Sequence, residues 1–152
     1  MSDVDVWRAI RAIEDDLERL RKADVGGVVV TWTPTYIGLT TAGVTTYSIQ
    51  VGSYMLLDKL IIATATIIWT GATGTGDALF SLPFAAANVA NQVFSGAARL
   101  ESLTFANSTP TIQIGAAQAI MRLNSPITNA ASTNVAMEAA GNVAYTVAYF
   151  ID

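Results

Sequence analysis

The chain of 152 residues contains no histidine and no cysteine. Those absences remove Ser-His-Asp and Cys-His nucleophiles, imidazole or thiolate zinc sites, and any disulfide framework. An all-carboxylate Ca²⁺ or Mg²⁺ site stays open in principle, yet no EF-hand-like acidic cluster is present. Charge is scarce as well: 8 Lys and Arg against 12 Asp and Glu give a formal net charge of −4. Nucleic acid is not an expected partner, because neutralising phosphates takes clustered Lys and Arg. Long apolar runs are also missing, despite an apolar fraction of 52% and a mean hydropathy of +0.44. Alanine supplies 25 of the residues. The strongest run, Leu60-Ile61-Ile62-Ala63, is far short of the ~20 residues that cross a bilayer. The opening Met1-Ser2-Asp3-Val4-Asp5 is acidic where a secretory signal is basic and then apolar. A protein made in the cytoplasm, without export signal or membrane insertion, is expected. Its length suits one ordinary domain.

The few charges that exist are unevenly placed. Residues 3–24 hold 12 of the 20, leaving Asp58, Lys59, Asp77, Arg99, Glu101, Arg122, Glu138 and Asp152 for everything after. Thr, Ser, Asn and Gln supply much of the remaining polarity. A surface this poor in charge suits burial against copies of itself or within a larger assembly.

The charged segment reads as a helix with a seam. Val6, Ile10, Ile13, Leu17 and Leu20 follow at spacings of 4, 3, 4 and 3, the heptad rhythm. Ile10 and Leu17 take the a positions; Val6, Ile13 and Leu20 take d. Ser2 or Asp3 can cap the start, and Asp15–Arg19 and Glu18–Lys22 are supporting (i, i+4) pairs. Asp16 at g faces Arg21 at the next e, the spacing of a parallel interchain pair. Gly26-Gly27 ends the helix. Residues 1–25 are therefore expected to be a coiled-coil trimerisation helix, and 26–152 a β-domain. An amphipathic helix folded back on its own domain would bury the same stripe.

After Gly27 the pattern is β. Val28–Thr33 is a β-branched run closed by Pro34. Thr45, Tyr47, Ile49 and Val51 alternate with Thr46, Ser48 and Gln50, as in a half-buried strand. Met55 to Trp69 reads as one long extended stretch, kinked or bulged near Asp58-Lys59. Ala78–Leu82 returns from the loop Gly71–Asp77. Gln92–Phe105, Thr111–Gly115, Gln118–Leu123 and Asn142–Ile151 are further strands. Phe84–Ala90 could make a helical turn, and Asn124–Ala136 is the least structured by composition. This many segments joined by Gly, Pro and Asn turns predicts an antiparallel β-sandwich or jelly roll.

Candidate chemistry is thin. Gly71–Asp77 lacks the lysine of a phosphate-binding loop and opens onto no helix, so it reads as a hairpin loop. The domain's acids are Asp58, Asp77, Glu101, Glu138 and Asp152. A glycosidase needs two carboxylates facing one bond, and no pair here has a distinctive context. Trp32, Tyr36, Tyr54 and Trp69 could stack on sugars, though strand aromatics more often fill a core or an interface. No catalytic residue, metal or cofactor is expected, and no enzyme.

A heptad helix, a glycine break and a Thr/Gly/Ala-rich sandwich together resemble bacteriophage virion surface proteins: short trimeric fibres, receptor-binding tips and capsid decoration proteins. Trp32-Thr33-Pro34-Thr35 resembles the first strand of such domains, and Tyr47 to Gly52 their tyrosine strand with its hydrophobic-Gly turn. Ile67–Gly71 with Thr75-Gly76-Asp77 and Ser81–Phe84 resembles their Trp-Thr-Gly…Leu-Pro hairpin. Gln50 stands where those domains commonly carry a basic residue. The resemblance implies a homotrimeric structural protein of the virion, bound to capsid or tail proteins. Capsid cement or head fibre is the favoured placement; a tail tip recognising a host surface glycan through the sandwich loops is the alternative. Oligomerisation would fall to Val6, Ile10, Ile13, Asp16, Leu17, Leu20 and Arg21.

Overall fold

Runs rich in Val, Ile, Thr and Tyr, cut by Gly, Asn and Pro, favour strand pairing over helix as the way to satisfy the backbone. The computed structural model describes residues 10–15, 27–105, 110–127 and 130–152. Their strands are β1 (Val29–Trp32), β2 (Tyr36–Gly38), β3 (Thr45–Leu57), β4 (Leu60–Ala72), β5 (Ala78–Ser81), β6 (Val93–Glu101), β7 (Thr111–Gly115), β8 (Ile120–Ile127), β9 (Ala130–Asn134) and β10 (Gly141–Phe150). All pairings are antiparallel and form one sheet, ordered β1-β3-β4-β10-β6-β7-β8-β5-β2, with β9 attached to β8.

β4 and β10 are the spine of the sheet. They pair without interruption from Gly141 opposite Trp69 to Phe150 opposite Leu60. Strict alternation puts Ile61, Ala63, Ala65, Ile67 and Trp69 on the inner face with Val143, Tyr145, Val147 and Tyr149, none more than 3% exposed. Beside them, β3 and β4 form a long hairpin closed by Asp58-Lys59 between paired Leu57 and Leu60. Asp58 sits in the left-handed region with φ 54°, which Asp tolerates better than most residues. The Met55–Trp69 stretch is thus two strands and a turn. The hairpin's irregularities occur elsewhere: the β3–β4 register shifts between Thr46 and Tyr47, where Thr70 is the extra residue, and between Tyr47 and Ile49, where Ser48 is.

The sheet curls over its own inner face. Tyr36 of β2, at one end of the strand order, packs on Trp69 of β4, third from the other end, with ring centroids 4.1 Å apart. Phe80 of β5 joins them at 5.0 Å from Tyr36. Ile112 and Ile114 of β7 and Met121 and Leu123 of β8 fill the rest of the core. Where the ends approach, side chains take the place of a ladder. The Tyr47 hydroxyl accepts the Tyr36 N–H at 2.8 Å and donates to the Tyr36 carbonyl at 3.3 Å. Thr45 Oγ1 donates to that carbonyl at 2.8 Å, and Gln50 Nε2 to the Pro34 carbonyl at 2.9 Å.

The expected sandwich or jelly roll is therefore corrected. The chain is mainly β, but its strands make one open curled sheet, neither two packed sheets nor a closed barrel. Period-2 alternation marks which face is buried; it does not encode what that face meets. The coiled coil is corrected too. Among the described residues the helical stretch is residues 10–15, less than two turns, too short for a heptad seam. Ile10 and Ile13 lie on it and are 38% and 60% exposed. Val6, Asp16, Leu17, Leu20 and Arg21 lie outside the described residues. The resemblance to phage virion surface proteins depended on that helix joined to a sandwich, and it falls with them.

Smaller differences have local causes. Phe84–Ala90 makes no helical turn; it is tied down as an irregular segment, with Ala86 N–H bonded to the Gln118 carbonyl and Ala87 N–H to that of Phe150. The expected unstructured stretch, residues 124–136, contains the end of β8 and all of β9. Pro126 lies there, and the β8–β9 register shifts between Ser125 and Ile127, as Pro at a bulge allows. No helix among the described residues is long and apolar enough to cross a membrane.

Candidate functional site

The bulge at Ser48 decides what the molecule shows to solvent. In an unbroken β3, Tyr47, Ile49 and Val51 would share one face. With Ser48 as the extra residue, its hydroxyl donating to the Ile68 carbonyl at 3.3 Å, Tyr47 stays opposite inward Trp69 while Ile49 pairs with outward Ile68. Gln50 and Gly52 turn inward instead, opposite Ile67 and Ala65. Ile49 and Val51 are left 42% and 61% exposed.

Continuing across the sheet, the register lays down rows on the outer face. One row is Val29, Met55, Ile62 and Ala148; the next is Thr31, Ser53, Thr64, Thr146 and Ala97. Val51, Thr66, Ala144 and Arg99 make a third, and Ile49, Ile68, Asn142 and Glu101 a fourth. Over β1, β3, β4 and β10 these rows hold no charged residue. Charge appears only at the margins, in the Asp58-Lys59 turn and in the Arg99–Glu101 ion pair on β6. Two shallow troughs share Thr64 and Thr146. One, of about 310 Å³, is also lined by Val29, Ser53, Tyr54, Met55 and Ile62. The other, of about 370 Å³, runs over Ala97, Ala98, Arg99, Ala144 and Tyr145.

The acids serve local bonds. Asp77 accepts a bond from Asn134 Nδ2 beside the Asp77–Ala136 bridge. Glu101 takes Arg99 and Asn142, and Glu138 Oε1 takes the Thr104 N–H. Asp152 receives the Asn88 N–H at 3.2 Å, and Asp58 occupies its turn. Four of the five, Asp77, Glu101, Glu138 and Asp152, accept a bond from a neighbouring group. Among the described residues no three or more Asp or Glu lie where they could hold a metal ion.

Of the aromatics considered for sugar stacking, Tyr36 and Trp69 are sealed in the core. Tyr54 stands edge-on to Phe84 with centroids 5.2 Å apart. Trp32 lies over Gly52, where even a Cβ would collide with its indole. Structural work also occupies the tyrosine hydroxyls, in a pattern repeated three times. As Tyr47 does with Tyr36, Tyr36 accepts the Glu138 N–H at 2.8 Å and donates to the Glu138 carbonyl at 3.4 Å. Tyr149 accepts the Phe84 N–H at 3.4 Å and donates to its carbonyl at 3.0 Å. The Glu138 carbonyl also takes Trp69 Nε1 at 3.0 Å. Burial pushes the Tyr36 hydroxyl up to about 12, opposed by its Glu138 backbone bond and reinforced by the nearby Glu138 and Tyr47 charges. Tyr149 also rises to about 12, through burial opposed by its bond to Phe84. Tyr145 is raised by burial and then by Tyr149. No signal in the sequence pointed to these clamps beyond the tyrosines themselves.

No family model, curated protein or solved structure matches this chain. The phage, capsid, tail-fibre and receptor-binding assignments expected from resemblance therefore gain no relative to stand on.

Proposed function

We propose that this chain is a structural subunit, homotrimeric and without catalytic chemistry, that is built into a larger assembly. One observation carries the reading: a broad uncharged sheet face with exposed Ile49, Val51 and Ile62, on a domain with few charges to keep it dispersed alone. Contiguous apolar patches rimmed by polar groups mark association surfaces. Most soluble oligomers are homo-oligomers of closed symmetry, three-fold rings among them, and association of that kind would cover such a face. Dispersed, locally bonded carboxylates and buried tyrosines fit a scaffold whose polar groups hold the fold.

Light scattering on the purified chain at micromolar concentration tests this reading. A mass of three times 16.0 kDa is expected. A monomer at that concentration would refute it.

A further inference from the structure

We infer that β9 is a detachable wedge, seated in a slot between β5 and β8 that closes on itself when the strand leaves. The register of the two walls carries the argument. β5 and β8 pair Ser81 with Ile120, Phe80 with Met121 and Leu79 with Arg122. Leu82 N–H donates to the Ala119 carbonyl at 2.9 Å, which makes that pair a bonded one. Bonded and unbonded pairs alternate in an antiparallel ladder, so Phe80–Met121 and then Ala78–Leu123 are the next bonded pairs. The ladder's own continuation joins Ala78 N–H to the Leu123 carbonyl. Val135 stands in that bond. Its N–H donates to the Leu123 carbonyl at 2.8 Å, and its carbonyl accepts the Ala78 N–H at 2.9 Å. When Val135 withdraws, the donor and acceptor it separated are the right pair for each other. Joining them moves the start of β5, where β8 holds neither Asp77 nor Ala78, by one strand spacing of about 4.8 Å.

The hold on the wedge is short and flawed. β9 meets β8 at Asn124–Asn134, Ser125–Thr133 and Ile127–Ala130, with the register breaking at Pro126. Ala131 to Asn134 are exposed, whereas Val135 beyond them reaches the core at 3% exposure. With β9 seated, Asn124 Oδ1 and Ser125 Oγ, opposite Asn134 and Thr133, are buried and find no hydrogen-bond partner among the described residues. Buried polar atoms without partners favour a state that wets them. Against release stand the Val135 side chain in the core, the Asn134–Asp77 bond and the Met137 N–H on the Gly76 carbonyl. Either arrangement satisfies Ala78 N–H and the Leu123 carbonyl, so the element has two bonded states and not one bonded and one broken. The inference is independent of the oligomeric state.

Residue-resolved amide hydrogen exchange on the full chain tests the wedge, read as protection factors so that intrinsic rates cancel. Val135 and Ala78 are both buried, and their N–H groups are bonded at 2.8 and 2.9 Å. Simple fraying exposes the two together. Release with closure exposes Val135 but re-bonds Ala78, so Val135 is expected to exchange at least about tenfold faster than Ala78. Two variants bracket the motion. Since Leu123–Val135 is a bonded pair, Asn124–Asn134 is an unbonded one, whose close Cα spacing suits a disulfide. Oxidised N124C/N134C is expected to bring residue 135 down to the Ala78 rate, and its reduced form to restore the difference. Val135→Ala loosens the wedge and is expected to widen the gap. Equal protection of Val135 and Ala78 in the wild type, a comparison that needs neither variant, overturns the closing slot. A rate at residue 135 that neither the disulfide slows nor V135A quickens overturns release as its cause.

Discussion

At the residue scale, the tyrosine hydroxyls do what a strand edge does elsewhere, offering a donor and an acceptor to a single peptide unit. Tyr47 grips Tyr36, Tyr36 grips Glu138, and Tyr149 grips Phe84. Removing one hydroxyl leaves buried backbone groups without a partner, which costs about 1–3 kcal/mol. Tyr36→Phe is therefore expected to lower the unfolding free energy by that amount in urea denaturation, with little change in oligomer mass. The same groups make the fold sensitive to alkali. A tyrosine held at about 12 in the folded protein and at 10.0 when unfolded favours folding fully below pH 10. That contribution is lost as pH rises from about 10 through about 12. Melting temperature should hold flat to pH 10 and then fall, as the Tyr36 and Tyr149 share of the tyrosinate absorbance near 295 nm appears late and together with unfolding. Early, non-cooperative ionisation of Tyr36 and Tyr149 would contradict these environments.

At the element scale, the bulge in β3 determines how far the sequence could be read. Alternation of Thr45, Tyr47, Ile49 and Val51 marks a strand, and residues 45–51 do lie in one. The same alternation places Ile49 and Val51 beside Tyr47 on the buried face, whereas one extra residue turns them to solvent. β7, the start of β3 and most of β10 were legible because their patterns are regular. β2, with three residues, is too short to show a period, and β9, Ala-Ala-Ser-Thr-Asn beyond Pro126, has no apolar alternation to detect. The Ile10–Ile13 spacing is real but belongs to a helical stretch of six described residues, too few to show a partner. A pair of single-residue deletions checks the bulge. Removing Ser48 closes it and leaves every neighbour on its present face, so the variant is expected to fold with a similar melting temperature. Removing Thr146 from β10, whose pairing with β4 has no bulge to absorb the loss, flips one half of that strand, sending core residues outward, and is expected to abolish soluble folded protein. Equal tolerance of both deletions would mean that strand register is not fixed by the inner face.

At the scale of the whole molecule, the curled sheet is assembled out of chain order. β10 pairs with β4 along its full length and with β6 over six residues, so residues 141–150 stand in the middle of the sheet and not at its edge. Without them β4 and β6 have no common neighbour, and the core residues Val143, Tyr145, Val147 and Tyr149 are missing together. Long-range pairing of this kind delays folding, since loop closure precedes its reward. The consequence falls on synthesis. A ribosome-bound nascent chain cannot complete its spine until residues 141–150 have cleared the exit tunnel, leaving Ile61, Ile67 and Trp69 without their β10 partners until then.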